Sequence, residues 1–293
     1  MNYLLHLTIY FCIYAILAMS LNVMVGYCGK LTLASSGYFA IGAYAYALAT
    51  VKLGWHFVPA IFLGILIAAL ASLVLSIAAW RFKGDVFVMF SLAVQAIILG
   101  VCVNWAVGSA EFGTWANLTN GPLGISAIAN PVHTRGNFAV LALALMGIAA
   151  ILCRLLLSSP FGRILLAMRD DELALRGLGK GVKMAKVYAF AFSCGLAALA
   201  GSLYAAYLGY INPSVAALDF SVLWLCMAII GGMGNLYGPF AGAAILLLLP
   251  EMLRFAQLPT AVADDLRLLL YGVFLILLTF FRPQGICGRY RVD

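Results

Sequence analysis

The sequence predicts an all-α polytopic membrane protein, a bundle of eight to ten membrane segments with broken or re-entrant helices, forming a single domain over 1–293. Three observations predict it. First, 65% of the residues are hydrophobic and only 9% are charged, whereas a soluble domain carries about a quarter. With a mean hydropathy of +1.08, too few charges are present to wet a globular surface, so lipid must be the solvent over much of it. Second, the charges leave apolar runs near the length of about 20 residues that a helix needs to cross a bilayer. Third, no period-2 alternation appears, so helices, and not a barrel, must satisfy the backbone in lipid.

Taken in order, the runs are Tyr3–Cys28, Leu31–Val51, Phe57–Trp80, Val86–Ala110 and the shorter Phe138–Cys153. A basic segment, 154–186, separates these N-terminal helices (3–153) from the C-terminal ones (187–281). The latter comprise Val187–Leu208, the uncharged stretch Phe220–Pro250, and Leu268–Phe281, followed by a tail over 282–293. The opening Met1–Ala18 lacks a basic n-region and a small-residue cleavage site, and reads as a retained span. The seven cysteines include no CxxC pair and no metal spacing, so they read as small buried hydrophobes.

Two apolar stretches are interrupted alike. Gly26-Tyr27-Cys28-Gly29-Lys30-Leu31 and Gly231-Gly232-Met233-Gly234-Asn235-Leu236 both spell G-x-x-G-x-L, and the second runs on to Gly238-Pro239. Gly26, Gly29, Gly231, Gly232, Gly234 and Pro239 are therefore the predicted helix breaks. A matched pair of breaks suggests an internal repeat and a substrate pathway; the same glycines also suit close helix packing. Both readings stay open at this level.

Topology follows the bases. Arg154, Arg163, Arg169, Arg176, Lys180, Lys183 and Lys186 stand against three acids, Asp170, Asp171 and Glu172, so the segment is expected in the cytoplasm. Arg81 and Lys83 belong on the same side, and Glu111–Asn137 on the other. The tail bases Arg282, Arg289 and Arg291 are also expected inside, which requires Phe220–Pro250 to be broken into two passes or a re-entrant half-helix.

Within the basic segment, Ser159-Pro160 is an N-cap with proline at the first helical position. A second start comes at Asp170, with Asp171 and Glu172 placed to suit the helix dipole, and Gly179 suits a left-handed C-terminal position. Two short helices result, with Leu165, Met168, Leu173, Leu175 and Leu178 as apolar teeth. Docking onto a partner and lying on the lipid surface are both compatible with this pattern.

The run Phe161-Gly162-Arg163 through Arg169-Asp170-Asp171-Glu172-Leu173-Ala174-Leu175-Arg176-Gly177-Leu178-Gly179 resembles the coupling loop of bacterial ABC importer permeases. More narrowly, the chain resembles the LivM-type permease of branched-chain amino acid importers. That likeness adds Leu21-Asn22-Val23-Met24-Val25-Gly26-Tyr27, Asn104-Trp105, Leu118-Thr119-Asn120-Gly121-Pro122-Leu123-Gly124-Ile125, Ile230 through Pro239, and Phe281-Arg282-Pro283-Gln284-Gly285.

The resemblance implies a bacterial inner-membrane, multi-pass subunit. It would work with a second homologous (LivH-type) permease, two cytoplasmic ATPases and a periplasmic substrate-binding protein, with no nucleic acid involved. Its cytoplasmic coupling helix would meet an ATPase through Arg163, Arg169, Asp171, Glu172, Leu173, Arg176, Leu178 and Gly179, the arginines fixing register by charge pairing. No G-x-x-x-x-G-K-[ST] motif and no catalytic constellation is present. The chain is therefore expected to bind no cofactor and not to be an enzyme, ATP–Mg being used by its partners.

For an aliphatic amino acid cargo, apolar walls and a few uncharged polar groups suffice; Asn22, Ser35, Ser36, Ser91, Gln95 and Asn104 are the candidates for the path. Each also has a packing reading, as a helix-to-helix tie. The chain departs from the family pattern at Ala34-Ser35-Ser36 (usually Gly-His-Ala), at Gln95-Ala96 (often acidic) and at Thr119-Asn120-Gly121 (usually Thr-Gly-Gly). These departures leave urea, short amides and other amino acids open as cargo. A stand-alone secondary transporter would carry an ionisable residue in mid-membrane; Val86–Ala110, Val187–Leu208 and Phe220–Pro250 carry none.

Overall fold

Helix begins almost at once. A computed structural model describes residues 2–82, 84–106, 117–128, 130, 132, 134–255, 272–273 and 285–286. Helix α1 (Asn2–Leu21) passes into a π-helical turn, Asn22–Tyr27, so that one rod covers the first predicted span. The chain is non-helical from Cys28 to Ala34, then resumes as α2 (Ser35–Val51). The predicted break is displaced: Gly29 lies in this non-helical stretch, Gly26 is still within the π-helical turn, and the second helix starts four residues past the expected Leu31. Helices α3 (Phe57–Arg81), α4 (Asp85–Asn104) and α5 (Arg135–Ser158) follow.

The basic segment holds α6 (Pro160–Asp170) and α7 (Glu172–Gly177). Helix α8 (Val182–Leu208) begins inside the stretch read as loop and takes in Lys183 and Lys186. Phe220–Pro250 is split, with α9 (Leu218–Gly231) and α10 (Gly238–Phe255) flanking a turn at Gly232–Tyr237. Of the predicted break residues, Gly232 and Gly234 lie in that turn, whereas Gly231 ends α9 and Pro239 sits in the first turn of α10, where proline's missing N–H costs nothing. The Leu268–Phe281 run, apart from 272–273, and all of the 282–293 tail except Gly285 and Ile286 lie outside the described residues.

Among the described residues, five helical runs are long and apolar enough to cross a membrane: Tyr3–Tyr27, Phe57–Arg81, Asp85–Asn104, Arg135–Ser158 and Val182–Leu208. The chain is an all-α polytopic membrane protein. The larger number of segments expected from sequence depends on α2, on the shorter helices α9 and α10, and on residues outside the described set.

The core is made of helices that small residues let approach closely. A Cβ on Gly42 of α2 would fall on the Ala198 backbone of α8, and one on Gly201 would meet the Phe39 carbonyl. The two helices thus touch backbone to backbone, as small residues permit in lipid, and Ser202 Oγ donates to the Gly42 carbonyl at 3.1 Å. Helix α3 is graded the other way around its circumference. Ala60, Gly64, Ala68 and Ser72 face inward, while Val58, Phe62, Leu66, Leu70, Leu73 and Ile77 are exposed. Small residues inside and large apolar ones outside are what a lipid-facing helix requires.

Contacts between distant residues sort the bundle into two ends. At one end, His6 Nδ1 and Tyr207 Oη lie 2.6 Å apart, and Phe138 packs on Tyr207. There too, β1 (Ile125–Ser126) pairs antiparallel with β2 (Tyr210–Ile211). At the other end, Lys186 Nζ donates to the Ala79 carbonyl at 2.9 Å, Arg169 reaches Gly26, and Ile286 N donates to the Ile230 carbonyl at 3.0 Å. Helix α1 therefore starts opposite the basic segment and finishes against it, and Gly285–Ile286 lies at the basic end.

Candidate functional site: the basic end and the two helix breaks

The α6–α7 unit is locally specified. Ser159 Oγ accepts from Phe161 N at 3.2 Å and starts α6, with Pro160 in the first turn. Asp171 caps α7, its Oδ1 accepting from Leu173 N at 2.8 Å and Ala174 N at 3.0 Å. After α7 the chain turns at Gly179, whose φ of 73° is the left-handed conformation that glycine adopts without strain. No neighbouring atom would crowd a Cβ there, so backbone conformation, not space, demands the glycine.

The five apolar teeth divide. Leu165, Met168 and Leu175 are buried against the bundle, while Leu173 and Leu178 are 65% and 75% exposed. Arg163 and Asp171 are exposed as well. Glu172 and Arg169, by contrast, turn toward the chain's own core. Glu172 Oε1 accepts from Lys186 Nζ at 2.8 Å and from Arg176 at 2.5 Å, and Oε2 lies 3.9 Å from Lys30 Nζ. Lys186 is only 1% exposed, and Ala79 and Glu172 satisfy it. Burial alone would raise the Glu172 carboxyl's pKa; the hydrogen bond and charge of Lys186, then Lys30 and Arg176, outweigh it and hold it below the usual carboxylate range.

Arg169 donates to the Gly26 carbonyl and lies 3.6 Å from Asp170 Oδ1. Gly26 belongs to the last turn of the α1 rod, whose terminal carbonyls lack intrahelical partners and favour a cation. Asn22, on the π-turn, clasps the second break. Its Oδ1 accepts from Gly234 N at 3.0 Å and its Nδ2 donates to the Asn235 carbonyl at 2.9 Å. The two G-x-x-G breaks are in direct contact, since a Cβ on Gly26 would come 2.6 Å from Gly234 N.

Four of the six path candidates converge on the start of α2. Gln95 Oε1 accepts from Gly37 N at 2.7 Å, and its Nε2 donates to Ser36 Oγ and the Ala216 carbonyl. Ser91 Oγ accepts from Leu33 N at 3.0 Å. Ser221, which the sequence reading missed, accepts from Ser36 N at 3.0 Å and from Ser35 Oγ at 3.3 Å. A small cavity beside them, between α1, α2 and α8, is lined in part by Ser20, Thr32, Ser35, Tyr38 and Ser193. Asn104 is not part of this group; it is exposed and bonds back to the Gly100 carbonyl of its own helix at 2.9 Å. Asn22 is placed at the breaks instead. In the sequence Lys186 counted only as charge of the basic segment and Lys30 only as part of the first G-x-x-G-x-L motif, because nothing in their spacing showed that one carboxylate would join them.

This combination of paired breaks and a capped two-helix basic segment has relatives. Residues 3–279 match the family described as branched-chain amino acid transport system permease component. The chain belongs to that family. It is 30% identical to the high-affinity branched-chain amino acid transport system permease protein LivM of Escherichia coli (strain K12), over 95% of this chain and 68% of that protein. The probable LivM of Methanocaldococcus jannaschii is 25% identical over 78% of this chain and 70% of its own length. The autoinducer 2 import system permease protein LsrC of Salmonella paratyphi B is 26% identical over 66% of this chain and 57% of that protein. No solved structure matches. As a permease component, the chain is a transport subunit of the inner membrane and not an enzyme.

Proposed function

We propose that this permease is one membrane half of an ATP-driven importer that carries branched-chain or related hydrophobic amino acids inward. Its partners are a second homologous permease, two cytoplasmic ATPases that use ATP–Mg, and a periplasmic binding protein. The observation that carries this reading is the α6–α7 unit. Leu173 and Leu178 project from a short helix that is capped at both ends and pinned to the bundle by Glu172 and Leu175. A helix resting on lipid would need no such anchoring, whereas one that transmits force from a partner must be stiff behind its contact face. Arg163, Asp171, Arg176 and Gly179 flank that face. The likeness to LivM supports the branched-chain cargo, while LsrC, named for autoinducer 2 import, makes autoinducer 2 a cargo to test beside it. Ser35, Ser36, Ser91, Gln95 and Ser221 form the polar wall proposed for the path.

The test is reconstitution of the full complex in vesicles with labelled leucine, valine, urea and autoinducer 2. Uptake of the aliphatic amino acids that requires ATP and the binding protein is expected. Leu173→Asp with Leu178→Asp should release the ATPases and abolish uptake. Uptake by this chain alone on an ion gradient would overturn the proposal.

A further inference from the structure

The π-turn Asn22–Tyr27 is held from two sides. From the basic segment, Arg169 donates to the Gly26 carbonyl, and its stem covers Gly29, where a Cβ would come 2.5 Å from Arg169 Cγ. From the other side, the Asn22 amide grips the second break at Gly234 and Asn235. The two glycines of the first G-x-x-G thus serve different contacts: Gly29 makes room for Arg169, and Gly26 for Gly234.

The rod above the turn is fixed. Ser20 Oγ donates to the Ser193 carbonyl at 2.8 Å, and Ser193 Oγ donates to the Ser20 carbonyl at 2.7 Å, a reciprocal tie to α8 two residues before the π-turn. Below the tie, the helix closes with wide bonds, Cys28 N to the Val23 carbonyl at 3.1 Å and Lys30 N to the Met24 carbonyl at 3.1 Å. A π-turn holds more residues than an α-turn, and such turns recur at functional sites. Tightening it by one residue turns everything beyond it by about 100° and shifts it by about 1.5 Å along the axis. Because Ser20 is pinned, that displacement falls on Gly26–Lys30, the stretch that Arg169 and Glu172 hold.

We infer that the π-turn is the moving part through which α6–α7 acts on the second helix break, with Arg169 as its input grip and Asn22 as its output grip. Both are positioning residues acting in series. Arg169 and Glu172 flank the Asp171 cap of α7, so a pull on Leu173 and Leu178 reaches Gly26 and Lys30 together. The turn then transmits the pull to Gly234 and Asn235, between α9 and α10. This inference rests on the proposed docking of an ATPase.

Cys28, 1% exposed at the end of the turn, supplies the probe. In the assembled complex, with Cys28 as the sole cysteine of this chain, a non-hydrolysable ATP analogue should raise its maleimide labelling rate about tenfold or more. Arg169→Ala and Asn22→Ala should each remove that nucleotide response while the ATPases still co-purify. The double variant should be no worse than either single one, and Arg169→Lys should keep part of the response. Labelling indifferent to nucleotide in the otherwise wild-type complex, or a full response in Arg169→Ala, would overturn the inference. Absence of any co-purifying ATPase from the wild-type preparation would instead overturn the docking reading beneath it.

Discussion

Glu172 serves three cations at once, and the cost of removing it depends on what it leaves behind. Lys186 is buried, so Glu172→Ala leaves an ammonium with only the Ala79 carbonyl, at an expected cost of about 3 kcal/mol. Pairing it with Lys186→Met should recover most of that loss, measured as thermal midpoints in detergent. The pH dependence has a definite sign. The folded carboxyl's pKa is lowered from 4.5, so its stabilisation is complete above that value and lost as pH falls through the lower one. The midpoint difference between wild type and Glu172→Gln should therefore be constant from neutral pH to about pH 5 and shrink below it. Gly179 is a second residue-scale case. Gly179→Val forces a β-branched residue to a φ of 73°, costing about 1–2 kcal/mol and distorting the turn after α7. ATP hydrolysis should persist while uptake falls. Gly177→Ala, in the helix with open space around it, should leave both unchanged. Gly179 was readable from the sequence because its need is local. The role of Glu172 was not, because beyond Arg176 one turn away its partners come from 14 residues onward in α8 and from the first G-x-x-G-x-L motif.

At the scale of elements, the bundle rests on contacts that tolerate no added atoms. Gly42→Ala would push α2 off the Ala198 backbone, with an expected loss of about 3 kcal/mol and no compensating rotamer, since the obstacle is main chain. A lowered melting point together with reduced protein in the membrane would register it. Gln95 joins three elements: α4, the start of α2, and the 3₁₀ turn Pro213–Ala216. Gln95→Leu strands Gly37 N and should cost about 1–3 kcal/mol. If the residue also lines the path, the KM for leucine will shift in surviving protein; an unchanged KM at a lowered melting point would make it a tie alone. The caps of α6 and α7 were legible because Ser159 and Asp171 bond within three residues. The outer limits of the helices were less so: α8 begins at Val182, with Lys183 and Lys186 inside it, because a helix can carry a base where a carbonyl and a carboxylate await it.

At the scale of the whole molecule, composition and the spacing of charges established a helical membrane protein, and the paired G-x-x-G-x-L motifs located two breaks. Those properties follow from local backbone chemistry and from the absence of water in the bilayer, which any stretch of chain meets alone. The sequence also showed that 154–186 is basic and that two short helices start within it, at Ser159-Pro160 and beside Asp171. Only the tertiary structure decided which residues of that segment face outward. It leaves Leu173 and Leu178 exposed and turns Arg169, Glu172 and Leu175 inward. It alone brought Gly26 against Gly234, gave Asn22 the second break as its partner, and gathered Ser35, Ser36, Ser91 and Gln95 around the start of α2 beside Ser221 while leaving Asn104 outside. The physical reason is range. A cap or a break is fixed by neighbours a few residues away, but a polar group buried among helices is fixed by whichever distant donor or acceptor the packing delivers to it.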